Sequence, residues 1–253
     1  MCLLDKGKMK VKAIILGAGK GKRMGSDLPK VLNQISGKPM IQILLDNVKQ
    51  AGIQDITVVI GPNMDQVAWA VAPVPTVIQQ ERLGTAHAVL AAEEHLKPFK
   101  GCVLVLFGDS PLILPTTLKR MVEEYKKGSD VVVLGFMPTD ARRYGRLIMG
   151  KDGLNRIVEY KDATDEERSI RLCNSGVMCI NAEVILDLLR QIKNDNAAKE
   201  YYLTDIVEVA HQRGLKCDVV IGDVEELHGI NTPDELETAQ EIFIHRQEQR
   251  SED

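Results

Sequence analysis

The sequence predicts an α/β fold, a mixed but mostly parallel sheet flanked by helices. Three observations carry that expectation. Short β-branched runs alternate with helical segments up to position 136, the first run ends in a glycine-rich turn, and beyond Pro138 the rhythm changes to that of a hairpin. Val11–Leu16 (VKAIIL) reads as the first buried strand. Met40, Ile43, Leu44 and Val48 then fall at helical spacing, with Gly52 as a stop. Asp55–Ile60 is the second strand, and the pattern repeats: helix 64–72, strand Thr76–Ile78, helix 85–96, strand Cys102–Phe107, helix 115–127, strand 130–136. Such alternation implies right-handed βαβ units. In the second half, 146–149 and 154–161 flank Lys151-Asp152-Gly153, where Asp-Gly signals a hairpin. A strand at 173–180 and helices at 182–192 and 203–213 follow. Thr232-Pro233-Asp234-Glu235 sets a capping Thr, a Pro at the first helical position and a Glu at the third, opening a helix to about 247. The chain reads as one domain over 1–253: a first half at 11–137, a hairpin-bearing half at 138–232 and a closing helix at 233–247.

Composition narrows the class. Hydrophobic content of 44% and charged content of 27% exclude disorder, collagen and coiled coil. The longest apolar runs, 67–72 and Cys102–Phe107, are far short of the roughly 20 residues of a membrane span. Residues 1–9 lack the apolar core of a secretory signal. A net charge of −4 argues against coating nucleic acid. Cys2, Cys102, Cys173, Cys179 and Cys217 form no CxxC pair, so reduced thiols in a cytoplasmic protein, without zinc, are expected.

The most informative stretch is Leu16-Gly17-Ala18-Gly19-Lys20-Gly21-Lys22-Arg23-Met24-Gly25, followed by Pro29-Lys30. It follows the first strand, where open α/β sheets bind ligands. Glycines at every second position let backbone N–H groups approach a ligand. A Walker A loop would need Gly and Lys at 22 and 23, which are Lys and Arg. A dinucleotide fingerprint would need Gly at 22 and an acid near 40, where Pro39, Met40 and Ile41 stand. Charge is more telling: Lys20, Lys22, Arg23 and Lys30 stand against Asp27 alone. Each cation within about 4 Å of a phosphate contributes on the order of 4 kcal/mol at an effective dielectric of 20. Such a loop suits chemistry in which two phosphates must meet.

Downstream, Gly108-Asp109-Ser110 follows the strand Cys102–Phe107, where a carboxylate could hold Mg²⁺ or merely cap the next helix. Gln79 could read a base edge through its amide, Thr85 taken alone is an N-cap, and His87 is structural. Gly145 is a turn residue, and Glu159 and Asn174 taken singly are surface strand positions. Asp205 reads as a helix-start acid, and Asn231, in His228-Gly229-Ile230-Asn231, as a residue just before a cap.

Together and in this order, G-x-G-x-x-R-M…P-K, LGTAHA, VEYKDAT, NSG and EYYLTDI resemble the uridylyltransferase domain of the bacterial N-acetylglucosamine-1-phosphate uridylyltransferase/glucosamine-1-phosphate acetyltransferase family, from about Val11 to Phe243. The resemblance implies the nucleotide-diphospho-sugar transferase version of the Rossmann-like fold, with a nucleotide-binding first half and a sugar-binding second half. It also implies a reaction of UTP with N-acetylglucosamine 1-phosphate, a step towards cell-wall precursors. By resemblance, Leu16, Gly17, Ala18 and Gly19 hold the nucleotide by backbone, and Arg23 and Lys30 neutralise the triphosphate. Gln79 and Gly84 read the uracil beside Thr85, and Gly108, next to Asp109, contacts substrate. Asp109 and Asn231 bind Mg²⁺, while Gly145, Glu159, Asn174, Tyr202 and Thr204 contact the sugar. Arg23, Lys30 and Asp109 are the implied catalytic residues. Gly17, Phe107, Ala86 and Ser175 stand where the family commonly has Ala, Tyr, Gly and Thr; none of these changes removes a charged or metal-binding group. The family's second domain is a hexapeptide-repeat β-helix, and no such repeat occurs in these residues, so acetyl transfer and the trimer built on that helix are not expected. Small-molecule substrates are implied, with no nucleic-acid or membrane partner, and a homo-oligomer is left open. The rival readings are a transferase for another sugar or nucleotide, a dinucleotide-dependent oxidoreductase and a silent nucleotide-binding protein.

Overall fold

Strand β1 (Val11–Leu16) shows why the sheet is buried on both faces: Ala13 and Ile15 enter one apolar cluster, Ile14 and Leu16 the other. The protein is described here from a computed structural model, over residues 9–25, 28–141, 144–227 and 229–252. After the short β2 (Gln34–Ile35) and β3 (Lys38–Pro39) comes α1 (Met40–Gln50), whose Ile41, Leu44 and Val48 pack on the sheet. Then β4 (Asp55–Ile60), α2 (Asp65–Val71), β5 (Thr76–Ile78), α3 (Thr85–Leu90), α4 (Glu93–Leu96) and β6 (Cys102–Phe107) complete a parallel set.

Helix α5 (Pro115–Lys126) leads into β7 (Val131–Phe136), and β8 (Arg146–Gly150) and β9 (Gly153–Val158) form the expected hairpin. After α6 (Asp165–Ser169) runs β10 (Cys173–Asn181), antiparallel between β6 and β7. The chain ends through α7 (Ile185–Leu189), α8 (Ile206–Gln212), β11 (Cys217–Ile221) and α9 (Pro233–Glu252). Sheet order is β11-β7-β10-β6-β1-β4-β5, with β8 and β9 attached through β10. The mostly parallel sheet of the sequence prediction is therefore present. Residues of α1, α2 and α5 cover one face, residues of α3, α7 and α8 the other. Helix α9 buries Ala239 against Met24, Met40 and Ile230, with Leu236 and Phe243 alongside, tying the glycine-rich loop to the carboxyl-terminal helix.

Several expectations need correction. The helix expected over 85–96 is two pieces, α3 and α4, broken at Ala91-Ala92. The segment 182–192 is helical only over Ile185–Leu189, and 203–213 opens with a tight turn at Leu203–Asp205 before α8. The strand expected to 161 stops at Val158, and the last helix runs to Glu252 rather than 247. Thiols are not all reduced: Cys102 and Cys179 are joined by a disulfide between β6 and β10, while Cys173 and Cys217 are free and buried. Cys2, Asp27 and His228 lie outside the described residues. No described helix is long and apolar enough to cross a membrane.

Candidate functional site

The carboxyl ends of β1, β5 and β6 and the start of β10 border two cavities that share a wall. The first, about 280 Å³, is lined by Leu16, Ala18, Gly19, Lys30, Gln79, Arg82, Gly84, Thr85 and Asp109 among others. The second, about 360 Å³, takes Thr85 and Asp109 again together with Gly145, Glu159, Asn174, Tyr202 and Thr204. Phe107 and Glu200 also belong to both. A larger hollow of about 610 Å³ opens at the other end of the strands, beside Val11 and Asp55. It lies at the amino ends of the strands, whereas ligands of open α/β sheets bind beyond the carboxyl ends, so the paired cavities are the stronger candidate.

The glycine-rich loop leaves β1 pinned on both sides, Gly17 N–H donating to Val59 O (2.7 Å) and Gly108 N–H to Leu16 O (2.9 Å). Gly17 and Gly108 are buried and line neither cavity, unlike their expected role as ligand contacts. Gly21 has φ +66°, and a Cβ there would lie 2.8 Å from Lys30 Cβ; only glycine lets the loop fold over the Lys30 stem.

Beneath that turn three charged candidates and the Asn231 amide meet. Lys30 Nζ donates to Asp109 Oδ2 and, at 2.7 Å, to Asn231 Oδ1, which also accepts from Arg23 Nη2 at 2.9 Å. The Lys30 side chain is 11% exposed and that of Asp109 24%, so the pair is well removed from solvent. Asn231 is held by the start of α9. Its N–H donates to Glu235 Oε2 (2.6 Å), and Thr232 and Glu235 complete the reciprocal cap foreseen from the sequence. Ile230 N–H on Asp109 O (2.9 Å) joins the two segments directly.

Among the described residues no group of three or more His, Cys, Asp or Glu side chains could hold a metal unaided. Asp109 and Asn231 nevertheless offer a carboxylate and an amide oxygen that converge on one cation, here the lysine ammonium. That is the oxygen donor set Mg²⁺ accepts when phosphates and water complete its shell, so the residues present fit the ion.

In the first cavity Gln79 is buried. Its Nε2 donates to Gly84 O (3.0 Å) and meets His87 Nδ1 at 3.2 Å. Gly84 O can only accept, which fixes the amide with Oε1 on its other side. His87, read as structural, thus orients Gln79. Thr85 does not cap α3: Gly84 holds the cap position, and Thr85 Oγ1 instead accepts from Leu203 N–H (2.9 Å), tying the two cavity walls.

Around the second cavity, Asn174 is buried, not a surface residue; its Oδ1 accepts from Gly176 N–H (2.9 Å) and its N–H donates to Gly145 O (2.9 Å). Glu159 accepts from Thr204 Oγ1–H at 3.2 Å. Burial pushes its carboxyl above the usual range and the Asp162 charge adds to this, while the Thr204 bond opposes. Tyr202 is likewise raised by burial and nearby acids. Asp205 is raised to about 6, first by burial and then by Glu208, Glu159, Asp162 and Asp195. Sequence reasoning did not assign Arg82 or Glu200 to the site. Asn196 clamps the Glu200 backbone, accepting from its N–H (3.2 Å) and donating to its C=O (2.6 Å). Arg82 carried no periodic signal that could have marked it.

Comparison with known proteins gives the family. A model of the MobA-like NTP transferase domain matches residues 13–199. The Bifunctional protein GlmU of Rhodospirillum rubrum is 53% identical over 236 residues, covering 92% of this chain and 53% of the relative. The protein of the same name from Paramagnetospirillum magneticum is 49% identical over 92% of this chain and 52% of its own length, and that from Ruegeria sp. TM1040 is 47% identical over 93% and 53%. The chain spans about half the length of these curated relatives.

Proposed function

Since this chain belongs to the MobA-like NTP transferase domain family, we propose that it is a UTP:N-acetylglucosamine-1-phosphate uridylyltransferase, forming UDP-N-acetylglucosamine and pyrophosphate. One observation carries the reading: Arg23, Lys30, Asp109 and Asn231, from three distant parts of the sequence, form one hydrogen-bonded group where two cavities of different character meet. A nucleotide occupies the cavity of the glycine-rich loop, and a sugar phosphate the cavity of Glu159 and Asn174.

A sugar-phosphate oxygen attacks the α-phosphorus in line. The new P–O bond forms as the bond to the bridging oxygen breaks, and that electron pair leaves with pyrophosphate, so no covalent enzyme intermediate is needed. Lys30 and Arg23 offset the charge of the two phosphates as they approach. Asp109 and Asn231 would hold Mg²⁺, which when bound supplies further charge neutralisation on the phosphates. Gln79 Oε1, its orientation set by Gly84 O, accepts from uracil N3–H; cytosine has no proton there. Thr204 and Glu159, hydrogen-bonded to one another, face the sugar with Asn174 and Tyr202.

The test is pyrophosphate release over a grid of nucleotides and sugar 1-phosphates. UTP with N-acetylglucosamine 1-phosphate should be clearly faster than CTP or glucose 1-phosphate; equal rates across the grid would defeat the assigned specificity.

A further inference from the structure

Resting on the nucleotide cavity proposed above, we infer that Arg82 is a positioning residue: it anchors the Ala18 carbonyl and so aims the Gly19 N–H at the nucleotide's phosphates. Arg82 stands after β5 yet reaches across the ends of β4 and β1. Its Nε donates to Ala18 O at 3.0 Å. Its Nη2 lies against Gly61, the first residue after β4, where a Cβ would fall 2.4 Å from that nitrogen. Gly61 therefore leaves a cradle for the guanidinium that a larger residue would fill.

The consequence follows from peptide geometry. The Ala18–Gly19 peptide is planar and trans, so its C=O and N–H point in opposite directions. Tying the carbonyl to Arg82 turns the Gly19 N–H the other way. Among the described residues no backbone carbonyl receives that N–H, and apart from Gly19 and its two chain neighbours no described atom lies within 4 Å of where a Gly19 Cβ would stand. Ala18 and Gly19 both line the first cavity. An amide held so without an internal partner is a donor prepared for an anion, and the energy of orienting it is spent at folding rather than at binding.

Arg82→Ala and Gly61→Ala should both free the peptide, the second without removing any charge. Calorimetric titration of the full chain with UTP and with uridine separates the phosphate contribution from that of the base. Both variants should weaken UTP binding about tenfold, the loss of one oriented charge-assisted contact. Uridine affinity, the KM for the sugar phosphate and the thermal midpoint should stay as in the parent. If Arg82→Ala binds UTP within twofold of the parent, or loses uridine and UTP alike, the inference is overturned. An unaltered Gly61→Ala overturns it too, since Arg82 would then act by charge and not by anchoring the peptide. A parent protein that binds none of the nucleoside triphosphates instead brings down the reading of the cavity, and the inference with it.

Discussion

Replacing Gly84 by alanine should damage both cavities at once. Gly84 has φ +126° and ψ 177°, a region essentially closed to other residues, at a cost of about 1–3 kcal/mol. The new Cβ would also lie 2.4 Å from Tyr201 O and 2.6 Å from Tyr201 N, both backbone atoms. Relief means pushing Tyr201 away, which breaks Ala86 N–H to Tyr201 O (2.9 Å) and Tyr201 N–H to Leu83 O (2.8 Å), each worth about 1 kcal/mol. The combined loss is about 3–5 kcal/mol, or a fall of roughly 10 °C in the unfolding midpoint of a domain this size. Gly84 O orients Gln79, and Tyr202 and Thr204 follow Tyr201 in the chain, so the KM values for UTP and for the sugar phosphate should rise together. Calorimetric unfolding and steady-state kinetics on the purified variant check this. A Gly84→Ala protein that melts within about 2 °C of the parent and keeps both KM values refutes the reasoning.

Asp109→Ala should lower turnover by about 10²–10³-fold or more, with circular dichroism unchanged, because it removes one of two converging oxygen donors; an active variant would unseat the metal assignment. Gln79→Ala should cut the preference for UTP over CTP about tenfold, the worth of one buried hydrogen bond, measured as a ratio of kcat/KM values; an unchanged ratio removes Gln79 from base recognition. Asp205, raised to about 6 from an ordinary 3.8, binds its proton more tightly folded than unfolded. Its contribution is level below about pH 4, falls as pH rises through the window to about 6, and is level again above. The two-unit shift corresponds to at most about 3 kcal/mol, and solvent screening brings this to about 1–2 kcal/mol. Asp205→Asn should thus gain stability at pH 7.5 relative to pH 4 in denaturant melts, and a parallel pH profile for both proteins would contradict this.

Much of the first half was legible because its strands are continuous apolar runs between turn signals. Val11–Leu16, Asp55–Ile60 and Cys102–Phe107 stand where their composition put them. Strand β11 was missed, since Cys217–Ile221 is short, carries Asp218 and owes its place to pairing with β7. Helix α6 buries none of its residues, so it has no apolar stripe to read; only its capping box, Thr164 with Glu167, marks it. The Arg23, Lys30, Asp109 and Asn231 group could be assembled from motif order, but the partner of Thr85 could not. Leu203 is remote in sequence, and a threonine before a helix ordinarily caps it. The disulfide escaped for the same reason: Cys102 and Cys179 become neighbours only because a distant strand lies beside β6.

The reversed strand β10 has a consequence for how the protein is made. During synthesis β6 and β7 are complete well before β10, yet neither has its inner neighbour until residues 173–181 emerge. In that interval two strongly apolar strands carry open ladders of backbone donors and acceptors, the kind of rim that recruits other nascent chains. A fragment halted near residue 137 would keep the whole glycine-rich loop and still be prone to aggregate, because the strand that closes its rim is encoded in the part it lacks.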